Sequence, residues 1–345
     1  MFRIEFMQRA LALARRGLGY VSPNPMVGCV IVKNGRIIGE GYHHHFGGPH
    51  AEIEAINNAP ESVIDADVYV TMEPCSHFGK TPPCADRLIQ EKVKRVFVAM
   101  KDPNPQVNGQ GIRKLAEAGI EVSIGHLEAE ARELNRFFIH FVSTGRPYVI
   151  LKAAITLDGF IADTTGNGKW ISNSQSRSEV HRLRSQMDAV LVGAGTVRAD
   201  NPQLSVRMVK GRNPQNIVLN SSGNLPPESH IFTNGTILVT APDAMTDEKK
   251  IRFESRGVHL LEDNGSELTP VLKSFATMGL TSLLVEGGAE IFGAFTEQGL
   301  VNEFLVYVAP IILGDGIPLF RMRGRTMAEA IRLSGQDTKI CLREL

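Results

Sequence analysis

The strongest constraint on the fold is a set of three metal-binding side chains that lie on separate segments of the chain. They are His50, Cys75 and Cys84, and Glu52 follows the histidine by two residues. One imidazole and two thiols are the protein ligands that a hydrolytic zinc site requires, with a fourth position left open for water. The chain therefore has to fold so that these segments meet, with Glu52 beside them as a separate proton carrier.

The surrounding residues place each ligand at the end of a strand or the start of a helix. His50 is predicted to begin a helix, with Glu52 in its first turn. Cys75 follows a predicted strand over Val68–Met72, and Cys84 follows two prolines that open the next helix. The peptide dipoles at a helix N-terminus favour the thiolate form of a cysteine. Zinc bound in such a site lowers the pKa of its water to about 7.

Two other interpretations of this cluster stay open at the level of the sequence. One is a structural zinc knot, which completes its tetrahedron with a fourth protein ligand, and the other is three unrelated buried side chains. The candidate fourth ligands are His43, His44, His45 and His77. The order H-x-E and then P-C favours catalysis, because zinc deaminases of nucleobases use that glutamate as a general acid and base. The gap between the two cysteines, residues 76–83, is longer than in that pattern.

Composition limits the class of protein further. The 345 residues suffice for two domains, and Lys+Arg 37 balances Asp+Glu 37, which argues for a small substrate and against a nucleic acid. Four cysteines do not make a disulfide framework. The N-terminus is predicted to form an amphipathic helix and not a signal peptide, and no apolar run reaches the roughly 20 residues of a membrane span. We therefore expect a cytoplasmic protein that does not enter membranes.

The order of predicted elements indicates two α/β domains. In the first, helices over residues 4–16, 111–118 and 128–142 accompany a hairpin turned at Asn34-Gly35 and strands that include Arg95–Ala99 and Glu121–Ile124. The segment 143–147 is the predicted boundary. Beyond it the pattern restarts with a largely parallel sheet. Its predicted strands are Tyr148–Ala154, Ala189–Gly193, Ile217–Leu219, Thr236–Val239 and Leu283–Val285.

Several longer motifs resemble one enzyme family along the whole chain. In the first half they are Ser22–Gly28, Glu73–Cys84 and Asp102–Pro105; in the second half they are Lys152–Gly159, Gly193–Val197 and Val285–Gly288. The chain resembles the bifunctional deaminase/reductases of riboflavin biosynthesis. That resemblance implies a three-layer, cytidine-deaminase-like domain over residues 1–145 and a dihydrofolate-reductase-like α/β domain over residues 146–345.

The resemblance also implies two successive reactions and their cofactors. The first is the zinc-dependent hydrolytic deamination of 2,5-diamino-6-(5-phosphoribosylamino)pyrimidin-4-one, with one Zn²⁺ per chain. The second is the reduction of the ribosyl side chain of the uracil product to ribityl, with NADPH as hydride donor. Members of the family commonly associate through the reductase half, so we expect a homo-oligomer, either a dimer or a tetramer.

Matching to the family assigns further residues to each site. The deaminase pocket is expected to include Asn24, His43, His77 and Lys80. The cofactor positions are Ala154, Trp170, Thr196, Asp200, Ser221, Gly288, Ala289, Glu290, Ile291, Phe292, Gly293 and Ala294. The positions that contact the phosphorylated sugar are Gly168, Arg184, Leu204, Arg207 and Glu286.

Physical chemistry supports part of this assignment. Glycine turns that precede helices at Gly193 and Gly287 suit the close approach of a nucleotide phosphate, although the third glycine of the dinucleotide fingerprint is missing. The guanidinium groups of Arg184 and Arg207 suit a ribose phosphate, and the alternative for either is an ordinary ion pair.

Two rival functions remain at this stage. One is a deaminase whose second half only binds a nucleotide or mediates assembly. The other is a nucleic-acid editing deaminase, which the neutral charge and the lack of basic runs with interleaved aromatic residues disfavour.

Overall fold

The computed structural model describes residues 1–76, 78, 82–105, 107–166, 168, 171–319 and 330–343. The chain divides into two compact units, Met1–Gly145 and Arg146–Leu345. Three residues that the sequence assigns to the sites, His77, Lys80 and Trp170, lie outside the described residues. None of the helices in the described part of the chain is long and apolar enough to cross a bilayer.

The first unit is built on a five-stranded sheet with the order β2-β1-β3-β4-β5. The strand β1 pairs antiparallel with β2 and β3, and β3, β4 and β5 are parallel. The parallel strands end at one edge of the sheet, and the chain that follows β3 carries Cys75. The strands are β1 (Gly28–Lys33), β2 (Arg36–Tyr42), β3 (Asp67–Met72), β4 (Arg95–Met100) and β5 (Glu121–Ile124).

Helices cover both faces of this sheet, which makes the three layers predicted from the sequence. Alternate residues of β1 point to opposite faces, so Cys29 and Ile31 enter one hydrophobic core while Val30 and Val32 enter the other. The helices are α1 (Ile4–Ala14, continued by a 3₁₀ turn over Arg15–Gly17), α2 (Ala51–Asn57), α3 (Cys84–Gln90), α4 (Gln110–Glu117), α5 (Glu128–Leu134) and α6 (Arg136–Thr144).

The second unit contains a nine-stranded sheet with the order β11-β10-β9-β8-β12-β6-β13-β16-β15. Its strands are β6 (Tyr148–Thr156), β8 (Ala189–Gly193), β9 (Gln215–Leu219), β10 (Ile237–Thr240), β11 (His259–Glu262), β12 (Ser282–Val285), β13 (Glu303–Ala309), β15 (Ala330–Ser334) and β16 (Asp337–Arg343). All neighbouring pairs are parallel from β11 to β13, whereas β16 and β15 add an antiparallel edge. The α/β fold with a largely parallel sheet is therefore confirmed.

Short helices connect the strands of this second sheet. They are α7 (Ser174–Gln186), α8 (Ala194–Asp200), α9 (Asp247–Glu254), α10 (Leu268–Thr277) and α11 (Ala289–Glu297). Apolar residues of α10 and α11, such as Phe275 and Phe295, fill the core against β8 and β12. A separate two-stranded sheet pairs β7 (Phe160–Ala162) with β14 (Ile317–Pro318).

The predicted single helix over residues 128–142 was wrong, because the chain forms two helices there. The break falls at Asn135, whose buried side chain accepts a hydrogen bond from the amide of Met26 at 2.8 Å and donates one to its carbonyl at 3.0 Å. These contacts join segments far apart in sequence, so local helical periodicity does not reveal them. β13 was not predicted from the sequence, although it is a run of apolar residues, and neither was the antiparallel edge that pairs with it.

Candidate active sites

Three potential zinc ligands meet at the carboxyl edge of the first sheet. His50 is the N-cap of α2, Cys75 follows β3, and Cys84 is the first residue of α3. The Nδ1 atom of His50 lies 3.2 Å from the Sγ atom of Cys84 and 3.5 Å from that of Cys75. The backbone amide of Cys84 also donates to the Cys75 sulfur at 3.2 Å. The sequence interpretation of three segments that converge on one point therefore agrees with the geometry.

The spacing of these donor atoms fits a zinc ion. The three ligand atoms all lie within 4.8 Å of one another. Bond lengths of zinc to sulfur and nitrogen give separations of about 3.6–3.8 Å between the ligand atoms of a tetrahedral site. The Cys84 thiol donates a hydrogen bond to the Cys75 sulfur, and this bond is the main cause that lowers the pKa of Cys75, with a smaller contribution from a hydrogen bond of His50. The same Cys84–Cys75 hydrogen bond raises the pKa of Cys84, whose proton the two sulfurs share. Zinc binding would displace the shared proton, since thiols ligate zinc as thiolates.

Of the four imidazoles considered as a fourth ligand, His77 lies outside the described residues and the other three make other contacts. The Nδ1 atom of His43 lies 2.9 Å from the Pro49 carbonyl, and its Nε2 atom lies 3.0 Å from Nδ2 of Asn24. The Nε2 atom of His44 lies 2.5 Å from a carboxylate oxygen of Glu54, and His45 is exposed. Within the described residues, the metal-binding cluster therefore consists of His50, Cys75 and Cys84 alone. That arrangement favours an open catalytic site over a structural knot.

Glu52 is almost completely buried beside this cluster. Its side chain is in the first turn of α2, the residue is 3% exposed, and burial raises the pKa of its carboxyl to about 7. A carboxyl group with a pKa near neutral can both accept and release a proton under ordinary conditions. The glutamate therefore has the property that the sequence interpretation required of a proton carrier.

Asn24 and His43 form the described part of the predicted deaminase pocket. The ring of His43 stands edge-on to that of His50 at a centroid distance of 5.5 Å, which places the pair next to the metal cluster. Burial lowers the pKa of His43, so its ring is neutral at physiological pH. A neutral ring is consistent with Nδ1 donating to the Pro49 carbonyl and Nε2 accepting from Asn24.

The predicted cofactor residues of the second unit lie mainly at the ends of adjacent parallel strands. β8 leads into α8, β12 leads into α11, and these two strands are neighbours. A Cβ atom placed on Gly193 would come within 2.5 Å of Ile291, and one on Gly288 would be 4.0 Å from the Thr196 hydroxyl. The two glycine turns therefore lie side by side, and glycine at position 193 permits their close approach.

The remaining predicted cofactor positions differ in how accessible they are. Ala154 is in β6, Ser221 is exposed just after β9, and Asp200 is exposed at the end of α8. Phe292 packs in the hydrophobic core, so its side chain is not available to a ligand. The other positions on the α11 segment are Ala289, Glu290, Gly293 and Ala294, of which Glu290 is exposed.

A cluster of largely buried charges surrounds Glu286, the residue that follows β12 in the same unit. Arg184 donates two hydrogen bonds to Glu286, at 2.6 and 3.0 Å, and the Lys152 ammonium lies 3.7 Å from the same carboxylate. Burial alone would raise the pKa of Glu286, but the two cations outweigh it and hold the pKa at about 2. Arg184 is thus already engaged in the bidentate pairing that the sequence analysis reserved for a phosphate.

Arg207 is the more available of the two predicted phosphate-binding arginines. It is exposed, and its Nη1 atom contacts the hydroxyl of Ser205 at 3.3 Å. Leu204 is buried nearby in the sequence with a left-handed backbone, φ 52°. Gly168 packs so closely against the Ile161 carbonyl that a Cβ atom would come within 2.5 Å of it.

His181 was not predicted as a site residue, although it precedes Arg184 by three residues and so shares a helix face with it. Its Nδ1 atom accepts a hydrogen bond from the Arg207 amide at 3.2 Å, and burial lowers its pKa to about 4. Asp158, which the sequence left without a role, accepts hydrogen bonds from the Thr156 hydroxyl and the Gly314 amide in an exposed turn.

Comparison with known proteins links both sites to one family. The model of the RibD C-terminal domain matches residues 147–340, and that of the cytidine and deoxycytidylate deaminase zinc-binding region matches residues 2–100. The riboflavin biosynthesis protein RibD of Bacillus amyloliquefaciens is 44% identical over 315 residues, which is 90% of this chain and 85% of that protein. This chain belongs to the RibD family. RibD of Aquifex aeolicus is 41% identical over 95% of the chain and 93% of its own length.

Solved structures of the RibD family have the same fold over the whole chain. A diaminohydroxyphosphoribosylaminopyrimidine deaminase/5-amino-6-(5-phosphoribosylamino)uracil reductase from Thermotoga maritima has a TM-score of 0.90 at 39% identity, covering 99% of this chain and 98% of its own. RibD of Acinetobacter baumannii has a TM-score of 0.91 at 38% identity with the same coverage. The predicted pair of activities, deaminase and reductase, is confirmed, as are the zinc and NADPH cofactors.

Proposed function

We propose that the two sites act in sequence on the substrates implied by the family. The first would deaminate 2,5-diamino-6-(5-phosphoribosylamino)pyrimidin-4-one, and the second would reduce the ribosyl group of the uracil product to ribityl. The observation that carries this proposal is the buried Glu52 beside the triad of His50, Cys75 and Cys84. A related protein indicates the substrate class, since the Thermotoga maritima enzyme is a diaminohydroxyphosphoribosylaminopyrimidine deaminase and 5-amino-6-(5-phosphoribosylamino)uracil reductase by name.

In the deaminase site, zinc held by His50, Cys75 and Cys84 would supply an activated water for hydrolysis. Glu52 would accept a proton as water adds to the ring carbon that bears the amino group. It would return that proton to the ring nitrogen and pass a second one to the departing amine, so that the products are ammonia and the uracil. The pKa of Glu52 near 7 supports this exchange in both directions.

Asn24 and His43 would orient the pyrimidine ring, because they lie next to the metal ligands in a hydrogen-bonded pair. His77 and Lys80 belong to the same proposed pocket on the strength of the family resemblance.

In the reductase site, the glycine turns at the ends of β8 and β12 would bind NADPH. Arg207 would contact the phosphate of the substrate, since its guanidinium group is exposed. Arg184 would instead hold Glu286 in place as an anion, and that carboxylate would accept hydrogen bonds from the hydroxyl groups of the sugar. Gly168 and Leu204 would shape the same pocket through the backbone.

We further propose that the protein is cytoplasmic and forms a dimer or tetramer through its reductase unit. The structure contains four free cysteines, and two of them are needed as zinc thiolates, which suits a reducing compartment. The oligomer rests on the family resemblance and can be measured by light scattering during gel filtration.

Metal removal tests the division of labour between the sites. A chelator should abolish ammonia release from the pyrimidine, while NADPH oxidation on separately supplied uracil substrate should continue unchanged. Added zinc should then restore ammonia release. Loss of both activities in the folded protein would contradict two independent sites.

A further inference from the structure

Glu73 is a buried carboxylate two residues before Cys75, and the chemistry proposed above makes no use of it. The residue is 5% exposed and accepts four backbone hydrogen bonds at 2.9–3.3 Å, two through each carboxylate oxygen. The four amides belong to Asp102, Gly109, Gly111 and Ile112. One side chain therefore joins the end of β3 to the loop after β4 and to the first turn of α4.

Backbone amides compensate the negative charge of this buried group. A carboxylate has about four lone-pair sites, and here four donors are directed at them. Three of the donors surround the N-terminus of α4, where the helix dipole favours an anion and where the first amides have no partner within the helix. Glu73 thus supplies the cap that α4 lacks from its own N-cap residue, which is Gly109.

A second contact shows how tightly the same segments are held together. A Cβ atom placed on Gly111 would lie 1.9 Å from the carbonyl oxygen of Pro74, so α4 approaches this carbonyl as closely as only glycine permits. The Glu73 amide also donates to the Met100 carbonyl at 3.0 Å. The residues immediately before Cys75 are therefore fixed on one side by β4 and on the other by α4.

We propose that Glu73 is a positioning residue for the zinc site. By holding α4 and the loop after β4 against Pro74, its carboxylate fixes the backbone from which the Cys75 sulfur reaches the metal. This inference rests on the proposed role of Cys75 as a zinc ligand. Groups that orient the ligands of a metal contribute about 10–100-fold to its affinity.

Glu73→Gln in the full-length protein tests this role. The NH2 group of glutamine would replace one of the two carboxylate oxygens. It would then face two backbone N–H groups, so that donors oppose donors and those hydrogen bonds are lost. We expect the zinc dissociation constant, measured by competition with a chromophoric chelator, to rise about 10–100-fold. NADPH oxidation on the uracil substrate should be unchanged and reports that the second unit is folded.

Asp67→Asn provides a matched control on the same strand. Asp67 begins β3, at the opposite end from Glu73, and pairs with Arg95 at 2.6 Å. The Asp67→Asn substitution removes one carboxylate charge from the same unit, so a loss of zinc affinity caused by general destabilisation would appear in this variant too. We expect its zinc affinity to equal that of the native protein.

Gly111→Ala perturbs the same contact from the other side, because its methyl group would push α4 away from Pro74. It should weaken zinc binding as Glu73→Gln does, and Glu73→Asp, which keeps the charge, should weaken it less. If Glu73→Gln fails to fold, these two variants decide the matter. If Gly111→Ala and either of the Glu73 variants each bind zinc with native affinity, the positioning role of Glu73 is overturned, while the proposed function stands. Failure of the native protein to bind zinc would overturn the proposed function as well.

Discussion

The two candidate active sites each contain a buried carboxylate, yet the surroundings displace the two pKa values in opposite directions. Glu52 in the first unit has a pKa raised to about 7, because burial disfavours its charge. Glu286 in the second unit is also buried, but Arg184 and Lys152 hold its pKa at about 2. Burial alone therefore does not determine the state of a carboxyl group, and two nearby cations reverse its effect.

This difference matches the chemistry assigned to each site. Hydrolytic deamination needs a group that gains and loses a proton during the reaction, which a pKa near neutral permits. Hydride transfer to a phosphorylated sugar needs a fixed, charged environment that orients the substrate. The two carboxylates thus indicate a proton carrier in one unit and a permanent anion in the other.

The largest expected effect is on Glu52→Gln, which keeps the size of the side chain but cannot carry a proton. Ammonia release should fall by about 10²–10⁴-fold, the usual contribution of a general acid and base. NADPH oxidation on the uracil substrate should be unaffected, and so should the zinc content. Near-native deamination by a zinc-loaded variant would show that another group carries the proton.

Glu286→Gln should have the next largest effect and would act on stability as well as on reduction. It leaves Arg184 and Lys152 buried without their anion, and removing one partner of a buried ion pair costs about 3–5 kcal/mol. This cost can be measured by urea unfolding of the second unit, with the loss of NADPH binding as the signal that monitors the transition. The control is Glu228→Gln, whose partner Arg252 is exposed, so no measurable change is expected.

The zinc site could be predicted closely from the sequence because each ligand carries a signal in its own local sequence. His50 is the N-cap of the helix whose first turn contains Glu52. Each cysteine ligand directly follows a proline, one just after β3 and the other at the start of α3. Residue type and spacing therefore carried most of the information. Glu73 shows the limit: its four partners lie 29–39 residues away, and nothing in its local sequence distinguishes it from a solvated glutamate.

The reductase site was less predictable because its charges come from distant segments. Arg184 and Glu286 are 102 residues apart, so their pairing was not visible, and both were assigned to the substrate independently. The break at Asn135 was missed for the same reason, since its partner Met26 is 109 residues away. Alternation of strands and helices predicted the fold class, whereas long-range polar contacts required the structure.

Arg207→Ala tests the proposed division between the two arginines. Loss of a charge-assisted hydrogen bond to phosphate costs about 1.5–3 kcal/mol, so the KM of the uracil substrate should rise about 10–100-fold. Deamination should not change. Arg207→Lys should lie between the two, because lysine keeps the charge but loses the planar fork. An unchanged KM in the alanine variant would contradict this role of Arg207 and would indicate that Arg184 binds the phosphate.

The smallest effect is expected from His181→Asn and concerns the dependence of stability on pH. The native imidazole has a pKa of about 4 against an ordinary value of 6.5, because it is buried and faces Arg184 and Arg207, with Glu286 opposing them in part. Between these two values the unfolded chain binds more protons than the native protein, so this group's contribution to stability is lost as the pH falls from about 6.5 towards 4.

Protonation of the His181 Nδ1 atom would also break the hydrogen bond that this atom accepts from the backbone amide of Arg207. Asparagine can accept the same amide through its side-chain oxygen, but it does not titrate in this range. The urea midpoint of the second unit should therefore fall less between pH 6.5 and pH 4.5 in the variant than in the native protein. Glu286 titrates near pH 2 in the folded state, so its share of the loss should be common to both proteins. Parallel pH profiles of the two proteins would show that folding does not change the pKa of His181.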